Sequence, residues 1–248
     1  MSVSCDRRIV GLWANEERSN AWAYVQGVGW RKLDDANDDA CTNLLALAAQ
    51  AKAQNATVKL HEDLRGDRWY ITEIYDLSPS TPPAAQEVSF SVAECTFGWT
   101  AAFRQQGANI VARIQLNPDD DVSADLLAEV KDRWKRGIED KWSYRFRCSS
   151  CALTFQVVWT SSSPHLVVRV KKGDGRSNLR LWHTTDSGDV ASHEFGHLMG
   201  HPDEYAEDDV CPDRSPKNTG TVMDDNTEVV LRLCRPFCDR LGQTTSPA

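Results

Sequence analysis

The chain has 248 residues, 41% of them hydrophobic, enough for one large buried core or two smaller ones. Its net charge of −8 and pI near 5.3 argue against a nucleic-acid or anionic-membrane surface, since neither attracts an acidic protein at long range. No stretch is long and apolar enough for a membrane span, and residues 1–8 lack the apolar core of a secretory leader, so a cytoplasmic location or a leaderless export route is expected.

Residues 1–76 read as a small α+β domain. Segments 9–13 and 21–25 pattern as a hairpin around the polar stretch 15–20, and 27–33 continues it. Over 38–53, Cys41, Leu44, Leu45, Leu47, Ala48 and Ala51 recur at helical spacing behind an acidic start that suits a helix N-terminus. Segments 57–61 and 69–75 return to strand patterns around an Arg65-Gly66-Asp67 turn. Trp13, Trp22, Trp30 and Trp69 also fall here. So small a module needs large side chains to make a core, so they are expected inside it, with an aromatic binding face as the alternative. A protein partner for this domain is a further expectation.

Residues 77–86 form a linker by composition, with Pro79, Pro82 and Pro83 among small polar residues. Residues 87–248 form the second domain. It opens with strand patterns at 88–95 and 109–116. The acidic run 117–121 reads as a solvated loop rather than a calcium site. A helix follows, capped by Ser123, with Leu126, Leu127, Val130, Trp134, Ile138 and Trp142 at steps of three and four. Strands are expected at 144–148, 153–160 and 165–171, an amphipathic segment at 227–233, and disorder from Gln243 onward. The eight cysteines favour disulfides among Cys148, Cys151, Cys211, Cys234 and Cys238, ahead of free thiols or a structural zinc site. Cys5, Cys41 and Cys95 read as small buried residues or an N-terminal bridge.

The stretch with the clearest chemistry is His193-Glu194-Phe195-Gly196-His197-Leu198-Met199-Gly200-His201-Pro202-Asp203. On a helix, His193 and His197 lie on one face a turn apart, the geometry of two metal ligands. Glu194 projects beside them, where a carboxylate can act as a base. Gly200 suits a left-handed turn ending the helix, and Pro202 prevents its resumption. The chain can then return Asp203 as a third ligand, with His201, or Glu228 further on, as competitors.

These residues resemble the metzincin zinc metallopeptidases, whose motif His-Glu-x-x-His-x-x-Gly-x-x-His is followed by a Met-turn. Here the last ligand position is Asp203, as in the snapalysin-like branch, and Thr221-Val222-Met223-Asp224 is similar to the Met-turn. The resemblance is strong over 189–224. It implies a metzincin-like catalytic domain, a mixed sheet plus an active-site helix, with Zn2+ held by His193, His197 and Asp203. Glu194 would be the general base for hydrolysis of a protein or peptide substrate. Segment 178–183 is similar to the edge strand along which substrate lies in such enzymes. Asp225 stands where many members carry Tyr, so any transition-state hydrogen bond from that position must come from elsewhere, for which Tyr205 is a candidate. The expected function is therefore a zinc endopeptidase. The alternatives are a toxin-like secreted effector protease with an N-terminal docking domain, or an inactive zinc-binding interaction protein.

Overall fold

The computed structural model describes residues 2–26, 28–75, 84–149 and 151–248. Most of the expected linker, residues 76–83, lies outside the described residues. The chain is a mixed α+β protein with two hydrophobic cores.

The first core belongs to a closed five-stranded barrel. Its elements are β1 (Ser2–Ala14), β2 (Ala21–Val25), β3 (Gly29–Leu33), α1 (Asp38–Ala53), β4 (Thr57–Arg65) and β5 (Arg68–Tyr75). The order around the barrel is β1-β2-β3-β5-β4. β3 and β5 run parallel and the other neighbours antiparallel. α1 begins where expected, because the Asn37 side chain accepts from Ala40 N at 2.8 Å. Its Leu44, Ala48 and Ala51 pack on Ile9, Ala23, Val25, Leu33, Val58, Leu60 and Ile71. This core is aliphatic. The expectation that the tryptophans fill it is overturned: Trp13 and Trp30 are 47% and 48% exposed, and Trp22 and Trp69 are only half-buried. A barrel of five strands plugged by a helix leaves interior room for small branched side chains, so the indoles lie outside.

The second core lies under a six-stranded sheet. In chain order come β6 (Gln86–Glu94), β7 (Phe97–Gln106), β8 (Asn109–Pro118), α2 (Ala124–Trp142), β9 (Phe146–Cys148), β10 (Cys151–Ala152), β11 (Thr154–Trp159), β12 (Leu166–Lys171) and β13 (Leu181–His183). α3 (Gly188–Leu198), α4 (Leu231–Asp239) and β14 (Thr245–Pro247) complete the chain. The sheet runs β13-β12-β8-β7-β6, with β11 also paired to β8. The expected disorder after Gln243 is corrected, because β14 pairs with β9. The amphipathic segment begins later than expected, as α4.

α2 buries Val130, Trp134, Ile138 and Trp142 and carries α3 on that side. The helices approach closely because a Cβ on Gly137 would stand 2.3 Å from Gly188 Cα. Trp142 Nε1 donates to Ser192 O at 3.1 Å and Ser192 Oγ to Gly137 O at 2.8 Å, which fixes the rotation of α3. Disulfides join Cys148 to Cys238 and Cys95 to Cys211, while Cys41 and Cys234 are buried free thiols. Cys95 is thus a bridge partner rather than a packing residue, and Cys148 and Cys238 are not free for a four-thiolate zinc site. Arg31 ties the two units together. It pairs with Glu62 at 2.8 Å, donates to Tyr144 Oη, and packs against both the Trp69 and Tyr144 rings, which themselves meet at 5.2 Å. Among the described residues no helix is long and apolar enough to cross a membrane.

Candidate metal centre

α3 starts at Ser187, whose side chain accepts from Val190 N, and carries His193 and His197 on one face. It stops at Gly200, with φ +97°, where a Cβ would also strike the Phe90 ring at 2.6 Å. Space and backbone conformation both demand glycine there. The chain then turns back, and Asp203 Oδ1 lies 3.0 Å from His193 Nε2 and 3.2 Å from His197 Nε2. The ligand atoms of these three residues lie within 4.8 Å of one another.

The hydrogen bonds fix what those atoms offer. His193 Nδ1 meets Val222 O and His197 Nδ1 meets His201 O, each at 2.8 Å. A carbonyl only accepts, so each Nδ1 carries the hydrogen, and the neutral form of each ring turns an Nε2 lone pair inward. Two imidazole nitrogens and a carboxylate oxygen thus converge as acceptors on one point, a set that suits a divalent cation. The 3.0 and 3.2 Å from Asp203 Oδ1 to the two nitrogens are close to the roughly 3.3 Å between tetrahedral ligands bonded at about 2.0 Å, and all three atoms lie within 4.8 Å of one another. The residues fit a metal ion.

The same groups also stabilise one another's charged forms. Burial opposes ionisation of Asp203, but the two imidazoles outweigh it and hold the carboxyl far below the usual range. Burial of His197 is likewise outweighed by Asp203, and its pKa rises. Glu194 is buried, its Oε2 has no hydrogen-bond partner, and burial raises its pKa despite the attraction of His197 and His193. A buried carboxylate with an unpartnered oxygen beside three converging ligands is equipped to take a proton.

No family model, curated protein or solved structure matches the chain. The site therefore stands on its own geometry.

The structure separates the competing ligands. His201 turns inward, stacked on Trp142 at 5.7 Å and 13°, and burial pushes its pKa down to about 4. It neither lines a cleft nor is solvated, and it serves through its carbonyl. Glu228 is exposed and lies outside the cluster. Met223 is fully buried, with Sδ 2.2 Å from where a Gly196 Cβ would be, directly under the helix. Glu204 is buried. Its Oε2 accepts from Thr219 Oγ1 at 2.6 Å, Thr221 Oγ1 at 2.5 Å and Arg232, while its N–H donates to Met223 O at 2.7 Å. It joins the ligand loop to the Met223 turn and α4. Tyr205 Oη donates to Asp203 Oδ2 at 2.9 Å and accepts from Arg176 at 3.0 Å, so its proton is already committed.

Several contributors carry no local sequence signal. Arg214 donates to Glu94 at 2.6 Å and to Tyr205 O at 2.7 Å and lies over the Tyr205 ring. Trp99 Nε1 donates to His197 O at 2.8 Å. The Cys95–Cys211 bridge ties the β6–β7 turn to the loop that bears Asp203. The edge strand is also corrected. β13 is outermost in the sheet, but its outward groups are taken: Leu181 N–H and C=O by Asn178, and His183 N–H by Asp186 Oδ2 at 2.7 Å. An extended substrate finds no free ladder there.

Proposed function

We propose that the chain is a zinc-dependent endopeptidase of the metzincin-like kind, with His193, His197 and Asp203 as ligands and Glu194 as the catalytic carboxylate. The reading rests on one observation above all, the convergence of two Nε2 lone pairs and Asp203 Oδ1 beside a buried carboxylate. The closed cap at Gly200 and the buried Met223 beneath the helix support the metzincin-like comparison.

Zinc held there would polarise a scissile carbonyl and acidify an attacking water. The chain's own residues supply the rest. Val222 and His201 carbonyls keep both rings in the ligating tautomer. Tyr205 occupies Asp203 Oδ2, leaving Oδ1 for the shared point. Glu194 takes the proton from the water and returns it to the leaving amine, a role helped by burial, which raises its pKa.

The test is Glu194→Gln, assayed for metal content by elemental analysis and for cleavage of an unfolded protein. Retention of about one zinc per chain with hydrolysis down about 10²–10⁴-fold is expected. Undiminished hydrolysis, or no zinc in the parent protein after reconstitution, would sink the proposal.

A further inference from the structure

The outer face of the barrel carries a second feature, distant in the chain from the metal centre. Trp13 on β1 lies opposite Trp22 on β2 in register, and Tyr24, two residues along β2, lies opposite Trp30 on β3. The indoles thus form a diagonal row over three strands, about two strand spacings or roughly 10 Å across. Gly11 makes the row possible: a Cβ there would stand 2.9 Å from Tyr24 Cβ and 3.6 Å from Trp30 Cη2. Trp30 and Tyr24 meet edge to face at 5.3 Å, which holds the Trp30 ring in place.

A groove of about 610 Å³ opens on this row, lined by Trp13, Asn20, Trp22, Trp30 and Arg68. That is the size of a small-ligand site, typically about 300–1,000 Å³. None of these indoles is needed for the core, which is closed by aliphatic residues. Nearly half-exposed tryptophans grouped on one face are therefore unexplained by folding. The groove is not purely apolar. Asn20 is fixed by Trp22 Nε1 at 3.0 Å and Glu17 at 2.6 Å, and Arg68 brings donors to the rim.

Charge selects the ligand class. Single-stranded nucleic acids also stack on aromatic platforms, but they need a cationic track for their phosphates. Among the described residues that line the groove Arg68 is the one cation, itself 3.9 Å from Asp67, and residues 2–75 hold nine Lys and Arg against eleven Asp and Glu. An uncharged, extended ligand with apolar faces and hydroxyl edges suits such a surface. We infer that this groove binds a neutral β-1,4-linked glycan, with pyranose C–H faces stacked on Trp13 and Trp30 and hydroxyls met by Asn20 and Arg68.

The test is isothermal titration of the full chain with β-1,4-linked hexasaccharides of glucose and of N-acetylglucosamine. Saturable binding of either is expected, weakened about tenfold or more by Trp13→Ala and by Trp30→Ala and lost in the double variant. Both side chains are nearly half-exposed, so circular dichroism and the metal content of the variants should match the parent. Glu194→Gln should bind as the parent does, which keeps this result separate from the peptidase reading. Absence of binding to both sugars, or binding that survives the double variant, would overturn the inference. So would Trp-dependent binding of a polyproline decamer or oligothymidylate without binding of the sugars.

Discussion

Replacing Gly196 by alanine sets helix propensity against packing beneath the metal centre. Gly196 lies inside α3 between the two histidines, and by propensity alone alanine would stabilise the helix by about 1 kcal/mol. A Cβ there would stand 2.2 Å from Met223 Sδ, 3.1 Å from its Cε and 3.3 Å from Trp142 Cζ2. Met223 and Trp142 are both fully buried, so the thioether has no solvent to swing into. Overpacking of this kind costs about 1–3 kcal/mol, and a sulfur this close places the site in the upper part of that range. The net effect is a destabilisation of about 1–2 kcal/mol, or roughly 2–8 °C in melting temperature for a chain of this size. The displacement also reaches the ligands, because Val222, next to Met223, gives its carbonyl to His193 Nδ1 at 2.8 Å. Losing such support lowers metal affinity about 10–100-fold. Thermal melting of the metal-free protein and competition with a chromogenic chelator read the two effects separately. A variant that melts at or above the parent would refute the packing argument. One that melts lower yet keeps its metal affinity would break the link from Met223 through Val222 to His193.

Tyr205→Phe removes the donor to Asp203 Oδ2 and should weaken metal binding about tenfold or more, measured by chelator competition; unchanged affinity with reduced turnover would instead assign Tyr205 to the reaction. Reduction of Cys95–Cys211, or the Cys95→Ser/Cys211→Ser pair, frees the Asp203 loop from the β6–β7 turn and should lower metal affinity in the same assay, whereas equal affinity in both redox states would show that the bridge does not act on the site. Arg113, bonded to Glu87 at 2.9 and 3.2 Å, and His165 at 2.9 Å hold the Glu87 carboxyl down to about 2. The unfolded group titrates near 4.5, so its stabilisation is complete above about pH 4.5 and is lost as pH falls through about 2. The carboxylate is more than half exposed, which limits the effect to about 1 kcal/mol or less. Urea midpoints of Glu87→Gln and parent should differ at pH 7 and converge near pH 2, and a constant gap would contradict the assignment.

Features set by covalent spacing were legible in the chain. α1 and α2 appear where their three- and four-residue steps, the acidic start of α1 and the Ser123 cap of α2 put them. His193 and His197 share a face because four residues make about one turn, whatever surrounds them. Features set by distant partners were not legible. β7 escaped notice because its inward row, Ala101, Phe103 and Gln105, ends in a polar residue, buried only because Gln105 Nε2 donates to Phe237 O at 2.8 Å across the core. β14 is held by pairing with β9, some hundred residues away, and nothing in Thr-Ser-Pro announces it. The indoles of the barrel misled for a different reason. Their size suits a small core in general, but a closed barrel plugged by a helix has a narrow interior, and closure is a property of five strands together.

The third member of the cluster shows where the two kinds of information meet. Local sequence offers His201 and Asp203 within three residues, and imidazole is as good a ligand as carboxylate. What decides between them is the surroundings of each side chain. The flat face of Trp142 and the ring of Phe237 give the His201 ring an apolar stacking site, and that burial draws it into the core. Asp203 meets the opposite environment, with Tyr205 on Oδ2, Glu94 accepting from its N–H at 3.4 Å, and Arg214 at 3.8 Å. Tyr205 and Arg214 satisfy one carboxylate oxygen and leave the other facing two Nε2 atoms. His201 still serves the cluster, because turning its ring inward presents its carbonyl to His197 Nδ1, so the residue left out of the cluster fixes the Nδ1 hydrogen of one within it.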